Sequence, residues 1–117
     1  MLSSSNRLHK KTDIERVFKR GRAVYQGGLG LRFALLNLPT PRFTVVVSLK
    51  VSKKANQRNL LKRRLREILR RAIVPRLAKN IDGIILTKAE LLNLSFAELK
   101  KLTIGLFEKA RVLKIGN

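Results

Sequence analysis

Residues 50–71 combine two properties that seldom coexist. They hold ten basic residues against a single acid, Glu67, and they also carry an apolar stripe. Leu61, Leu65, Ile68, Leu69 and Ala72 recur at the 3.6-residue period, which predicts an ordered amphipathic helix from about Asn56. Pro75 is expected to end or kink it near Val74. At about 100° per residue, Asn59, Lys62, Arg63, Arg66 and Arg70 gather on the side away from the stripe, and Arg64 and Arg71 lie on the other flank. The ladder from 59 to 70 is about 16 Å long, room for roughly two or three phosphates. Like charges four apart (Lys62/Arg66, Arg66/Arg70) repel each other. A merely solvated face would alternate its signs, so a polyanion partner is the stronger reading. Arginine suits that partner because its planar fork can pair two phosphate oxygens.

Composition sharpens the argument. Lys and Arg number 27 and Asp and Glu 7 in 117 residues, a net charge of +20, yet 44% of residues are apolar. That is too apolar for a disordered basic tail, and the length suits one domain spanning residues 1–117, with residues 1–11 expected to be flexible. There is no Cys and one His, His9. Thiol, zinc-cluster and His-triad chemistries therefore have almost nothing to work with, and His9, beside Lys10 and Lys11, reads as a surface residue. No catalytic or metal-binding side chains are expected. The lack of Cys suits a reducing compartment. With neither a membrane-length apolar run nor a secretory pattern, the expected location is the cytoplasm and no membrane partner is expected.

The remaining elements follow from capping and periodicity. Thr12-Asp13-Ile14-Glu15 has the pattern of a capping box, and Asp13 and Glu15 read as capping groups. Ile14, Val17 and Phe18 follow at helical spacing, with Gly21 as a stop. Leu29, Leu31, Phe33 and Leu35 alternate as in a half-buried strand, which puts Arg32 on the face opposite Phe33. Phe43 to Val51 alternates likewise, and Pro39-Thr40-Pro41 predicts a turn joining the two strands as an antiparallel hairpin. Ile84-Ile85-Leu86 reads as a short buried strand. Ser95-Phe96-Ala97-Glu98 is a second capping box opening a last helix, whose buried face is Leu99, Leu102, Leu106, Ala110 and Leu113, with Leu94 as its hydrophobic staple. The expected fold class is an α/β (α+β) sandwich: about four strands and three helices, ordered α-β-β-(β)-α-β-α, with the basic helix as a βαβ crossover. A DNA-binding module would need a recognition helix, and no helix-turn-helix pair is evident, so no DNA partner is expected. A membrane-surface helix would need the apolar stripe that the strands require as core.

The stretch Val51-Ser52-Lys53-Lys54, followed by Arg58-Asn59-Leu60-Leu61-Lys62-Arg63-Arg64-Leu65-Arg66-Glu67, resembles the signature of the bacterial ribonuclease P protein family: a strand ending in V-S-K-K, then R-N-x-x-K-R-x-x-R on a helix. Arg7-Leu8 and residues 13–21 look like the family's first helix, and residues 96–113 like its last. The resemblance implies an endoribonuclease that is a ribonucleoprotein. Its catalytic RNA removes the 5′ leader from precursor tRNA with RNA-bound magnesium ions, and the protein binds no cofactor alone. It implies RNA contacts from Lys53, Lys54, Arg58, Asn59, Lys62, Arg63 and Arg66, extended here to Arg70 on the same ladder. It also implies a cleft for the single-stranded leader between the first helix and the sheet, with Phe18, Arg32, Phe33 and Lys50 as candidates, and a left-handed βαβ crossover. Whether Arg32 or Phe33 faces that cleft stays open, as does core packing for Phe18. Tyr25 is a weaker stacking candidate. The chain departs from the family at Ile14, where an aromatic is common, at Leu60, where Arg is common, and in a short segment between Lys54 and Arg58. The protein alone is expected to be monomeric. The alternative function is a ribosomal or chaperone-like basic RNA-binding protein with no enzyme partner.

Overall fold

The computed structural model describes residues 6–35 and 39–115. In chain order the elements are α1 (Lys11–Arg20), β1 (Arg22–Gln26), β2 (Leu29–Leu35), β3 (Arg42–Val46), α2 (Ala55–Ile68), β4 (Ile81–Thr87) and α3 (Phe96–Lys109). The four strands form one mixed sheet ordered β1-β2-β4-β3. β1 and β4 each run antiparallel to β2, and β3 runs parallel to β4 across the α2 crossover. The expected α+β sandwich with a basic crossover helix is therefore the fold.

The expected hairpin between residues 29–35 and 43–51 does not form, because β4 lies between those strands. Alternation reports which face of a strand is buried but not which strand pairs with it. The central place goes to the strand whose residues can be buried on both faces, and Ile81 through Ile85 are all buried. The hairpin that does form joins β1 to β2 through Gly27-Gly28. Gly27 takes φ +59° there, the left-handed conformation that tight hairpin turns favour and glycine adopts freely. β3 is also shorter than alternation predicts. Beyond Val46 the chain leaves the sheet: the Thr87 hydroxyl donates to the Val46 carbonyl at 2.6 Å, and a turn returns the Val51 N–H to the Ser48 carbonyl. Val47 and Val51 stay buried, but in a loop leading to α2.

One face of the sheet packs on α2 and α3 through Leu29, Leu31, Phe33, Phe43, Val45, Ile81 and Ile85 against Leu61, Leu65, Ile68, Leu99, Leu106 and Phe107. Phe43 meets Phe107 edge-on with centroids 5.9 Å apart, a favoured aromatic geometry. α1 covers part of the opposite face, where Leu8, Val17, Ala34 and Ile84 form a smaller core flanked by Ile14 and Leu86. Residues 6–8 are docked rather than flexible. Arg7 bridges Phe43, the Leu8 N–H donates to the Phe43 carbonyl at 2.7 Å, and Leu8 is buried. Of the expected flexible segment, residues 1–5 lie outside the described residues.

The two capping boxes differ in outcome. At α3, the Glu98 N–H donates to Ser95 Oγ (3.1 Å) and the Ser95 N–H to Glu98 Oε1 (2.8 Å), as the sequence predicts. At α1 the helix starts at Lys11, with no side-chain cap at Lys10 and Thr12 already inside the first turn. The bond from the Ser95 backbone holds the Glu98 carboxyl below the usual carboxylate range, with the Ser95 side chain adding to this. A depressed carboxyl contributes stability above its unfolded pKa and loses it as pH falls through the folded value. Protection of the amides at the start of α3, taken relative to their intrinsic exchange rates, is therefore expected to fall below the ordinary Glu range, and Glu98→Gln should abolish that acid dependence. A protection factor there that does not change with pH would refute the assignment.

Candidate nucleic-acid interface

α2 buries Leu61, Leu65 and Ile68, which turns its other side outward. Asn59 and Arg63 are exposed there, and Lys62 and Arg66 are half-buried. Among the described residues none of Lys62, Arg63 and Arg66 is within ion-pair distance of a carboxylate. Lys53 and Lys54 are exposed immediately before the helix. The first turn of α2 contains no acid, so the positive end of its dipole adds to those two lysines. Arg58 also makes a local bond. Its guanidinium donates to the Ser52 carbonyl at 2.8 Å and pins the entering loop. Ser52 supports the same corner by accepting the Lys54 N–H and donating to Gln57 Oε1.

The ladder stops earlier than expected. After Ile68 the helix widens into a single π turn, Leu69–Ile73, and then a short 3₁₀ turn, Val74–Arg76, at Pro75. Arg70 lies in the π turn and its guanidinium is engaged by Glu67 at 3.1 Å, while Arg71 reaches the same carboxylate at 2.7 Å. Partial desolvation works to raise the Glu67 carboxyl, but the Arg70 hydrogen bond and the Arg70 and Arg71 charges outweigh it and hold the group ionised below its ordinary range. Arg70 thus shares the Glu67 carboxylate with Arg71, and the cations of the row without a carboxylate partner among the described residues run from Lys62 to Arg66, about 6 Å at 1.5 Å per residue, with the Asn59 amide about one turn before them.

The second surface is the face of the sheet beside α1. Arg32 points to this face, with its guanidinium 5.0 Å from the centre of the Phe18 ring and Nη2 donating to the Phe18 carbonyl at 3.1 Å. That bond also satisfies one of the open carbonyls at the end of α1. Phe33 points the other way and is only 2% exposed in the core, so of the pair left open by the sequence it is Arg32 that lies on the face beside α1, and Phe33 is a packing residue. Phe18 is 45% exposed and Tyr25 52%. Tyr25 pairs with Gly30, Gly30 with Leu86, and Leu86 with Val46, a single row across all four strands. The Tyr25 ring lies across Gly30, where an added Cβ would stand 2.8 Å from ring carbons. This open row, walled by Phe18 and Arg32, is an apolar and aromatic floor of the kind on which bases stack irrespective of sequence. Lys50 lies off it, exposed in the turn beyond β3.

A partly buried ionic triad sets the position of α1 against this floor. Arg42 on β3 gives Asp82 on β4 two hydrogen bonds, at 2.8 and 2.6 Å, and a third to Asp13 on α1 at 3.1 Å. Asp82 is completely buried. The Asp82 hydrogen bonds dominate in raising the Arg42 pKa; burial opposes them, and the charges of Asp82 and Asp13 add to them. Asp13 therefore serves the sheet and not a helix cap, and the box at Thr12 is unmade because the helix already begins at Lys11.

Comparison with known sequences agrees with this geometry. The sequence profile of the ribonuclease P family matches residues 2–111. The chain belongs to the ribonuclease P protein family. It is 35% identical over 107 residues to the ribonuclease P protein component of Onion yellows phytoplasma (strain OY-M), covering 91% of this chain and 74% of that one. It is 33% identical over 116 residues to that of Bacillus velezensis, covering 97% and 96%. The fold superposes on the RNase P protein of Staphylococcus aureus with a TM-score of 0.83 at 20% identity, covering 93% of this chain and 98% of that chain. It superposes on the RNase P protein from Thermotoga maritima with a TM-score of 0.78 at 26% identity, covering 88% and 96%. The chain is thus a protein component of the tRNA-processing ribonucleoprotein ribonuclease P.

Within this ribonuclease P family fold, two surfaces collect the predicted residues. Lys53, Lys54, Asn59, Lys62, Arg63 and Arg66 lie on or just before α2, and Phe18 and Arg32 meet beside the open sheet face. Arg58 and Arg70 hold partners within the chain. Tyr25, a weaker stacking candidate in the sequence, is placed on the open row by the β1–β2 hairpin. Sequence reasoning missed Arg42 entirely, since Asp13, Arg42 and Asp82 are distant in sequence. No helix among the described residues is long and apolar enough to cross a membrane.

Proposed function

We propose that the chain binds the catalytic RNA of an endoribonuclease along α2 and holds the 5′ leader of precursor tRNA across the open sheet face, so that the leader is removed and the mature tRNA 5′ end is formed. The observation that carries this reading is the row of Lys62, Arg63 and Arg66 on a helix fixed to the sheet, without carboxylate partners among the described residues. A fixed row of cations loses little ordering entropy when it meets phosphates. The reading leaves bond cleavage to the RNA and its magnesium ions, because most of the protein's carboxylates are committed elsewhere. Asp13 and Asp82 hold Arg42, Glu67 holds Arg70 and Arg71, and Glu98 caps α3.

The test is to add the chain to a bacterial ribonuclease P RNA at low magnesium and follow cleavage of a precursor tRNA. Stimulated cleavage is expected; its absence would return the chain to the class of non-enzymatic RNA-binding proteins. Phe18→Ala and Tyr25→Ala should each weaken binding of leader-bearing tRNA about fivefold or more, the scale of one base–aromatic stack. Mature tRNA should be nearly unaffected. Equal losses for both tRNAs, with a lowered melting temperature, would make these rings packing residues.

A further inference from the structure

The flank of α2 away from the ladder carries a second kind of surface. Arg64 lies about 100° around the helix from Arg63, and Leu60 adjoins it. Two hollows meet at Arg64. One, about 360 Å³, is lined by Arg63, Arg64, Glu67 and Phe96, and the other, about 130 Å³, by Gln57, Leu60, Leu61, Arg64, Leu91 and Leu92. Phe96, at the start of α3, is 41% exposed, and Leu60 is 36% exposed. The two aromatics near cations differ in one respect. The Phe18 ring has a guanidinium over it, and among the described residues no cation stands over Phe96. An apolar ring is thus presented beside two arginines on the helix that carries the phosphate-binding row, with Arg63 shared between the row and the hollow.

We infer that Phe96 is a stacking platform for one unpaired base of the RNA that lies along α2. The base's own phosphate rests on Arg63, and the Arg64 guanidinium forms the opposite wall. The inference rests on the RNA-binding reading above and adds to it a contact that is not electrostatic. The occupant follows from charge and shape. Two arginines bordering an apolar ring, with the Glu67 carboxylate of the same hollow already held by Arg70 and Arg71, fit a group that is anionic at one end and a flat apolar plane at the other, and single-stranded nucleotides are read by aromatic side chains and arginine planes in this manner. A hollow of this size is within the range that small ligands occupy. Leu60 makes the adjoining hollow apolar on the other side of Arg64.

The experiment uses the full chain and a bacterial ribonuclease P RNA, with affinity measured over a series of salt concentrations. Phe96→Ala is expected to lower affinity about tenfold, the scale of one base–aromatic stack. It should leave the slope of log affinity against log salt unchanged, because no phosphate contact is lost. Phe96→Leu should lose as much as Phe96→Ala, and Phe96→Trp should retain wild-type affinity. The chain contains no tryptophan, so Phe96→Trp also reports directly: stacking is expected to quench its emission when RNA binds. Wild-type affinity in Phe96→Ala, wild-type affinity in Phe96→Leu, or unchanged tryptophan emission would each overturn the inference while leaving the RNA-binding reading intact. A wild-type chain that binds no RNA would overturn both.

Discussion

Asp82→Ala is expected to cost about 3 kcal/mol of folding stability, the lower end of what removal of one partner from a buried ion pair costs. The lower end applies because Arg42 keeps Asp13 and is partly open to water. In a domain of this size that corresponds to a fall in melting temperature of about 10 °C, measured by thermal or urea unfolding. Asp82→Asn should cost less, since it keeps an acceptor for Arg42. The loss should also be local. Asp82 and Asp13 meet at one guanidinium, so amides of α1 should exchange faster in Asp82→Ala than those of α3. Uniform destabilisation with unchanged relative exchange would show that the triad does not hold α1 to the sheet. Leader binding should weaken along with α1, because Phe18 forms the wall of the open face.

The double variant Arg63→Ala with Arg66→Ala carries the other large effect. Hydrogen bonds to charged groups contribute about 1.5–3 kcal/mol each, so the loss of two should weaken RNA binding about a hundredfold or more. The slope of log affinity against log salt should flatten by roughly 0.7–0.9 for each lost phosphate contact. Stability should hold or rise slightly, because the Lys62/Arg66 repulsion is relieved. An unchanged slope would mean that these side chains do not touch phosphate. Arg70→Ala is a useful contrast: its guanidinium is held by Glu67, and its effect on the slope should be much smaller.

Sequence was most informative where local pattern and tertiary need coincide. The stripe Leu61, Leu65, Ile68 located α2, and the Ser95 box located α3. Thr12 shows the limit. The same spacing of hydroxyl and carboxylate occurs at Thr12 and Glu15, but α1 begins at Lys11, ahead of the hydroxyl and without a side-chain cap, while Asp13 is drawn to Arg42. Alternation placed Arg32 and Phe33 on opposite faces but could not tell which face α1 leaves open. It could not reveal that β2 and β3 are strangers, since pairing depends on β4, whose buried isoleucines lie some forty residues beyond β3. The engagement of Arg70 was visible in principle: Glu67 stands three and four residues before Arg70 and Arg71, the spacing of helical ion pairs.

The place of β4 has a consequence for synthesis. The strand made last fills the gap between two made earlier, so a nascent chain ending before Ile81 holds a β1–β2 hairpin and an unpaired β3 with nothing to join them. Hairpins alone are marginal in water. The amphipathic segment with its dense positive charge therefore emerges from the ribosome before the platform that will hold it exists. Its apolar stripe must wait for β4, and its collapse is governed by non-local closure, the slow regime of folding.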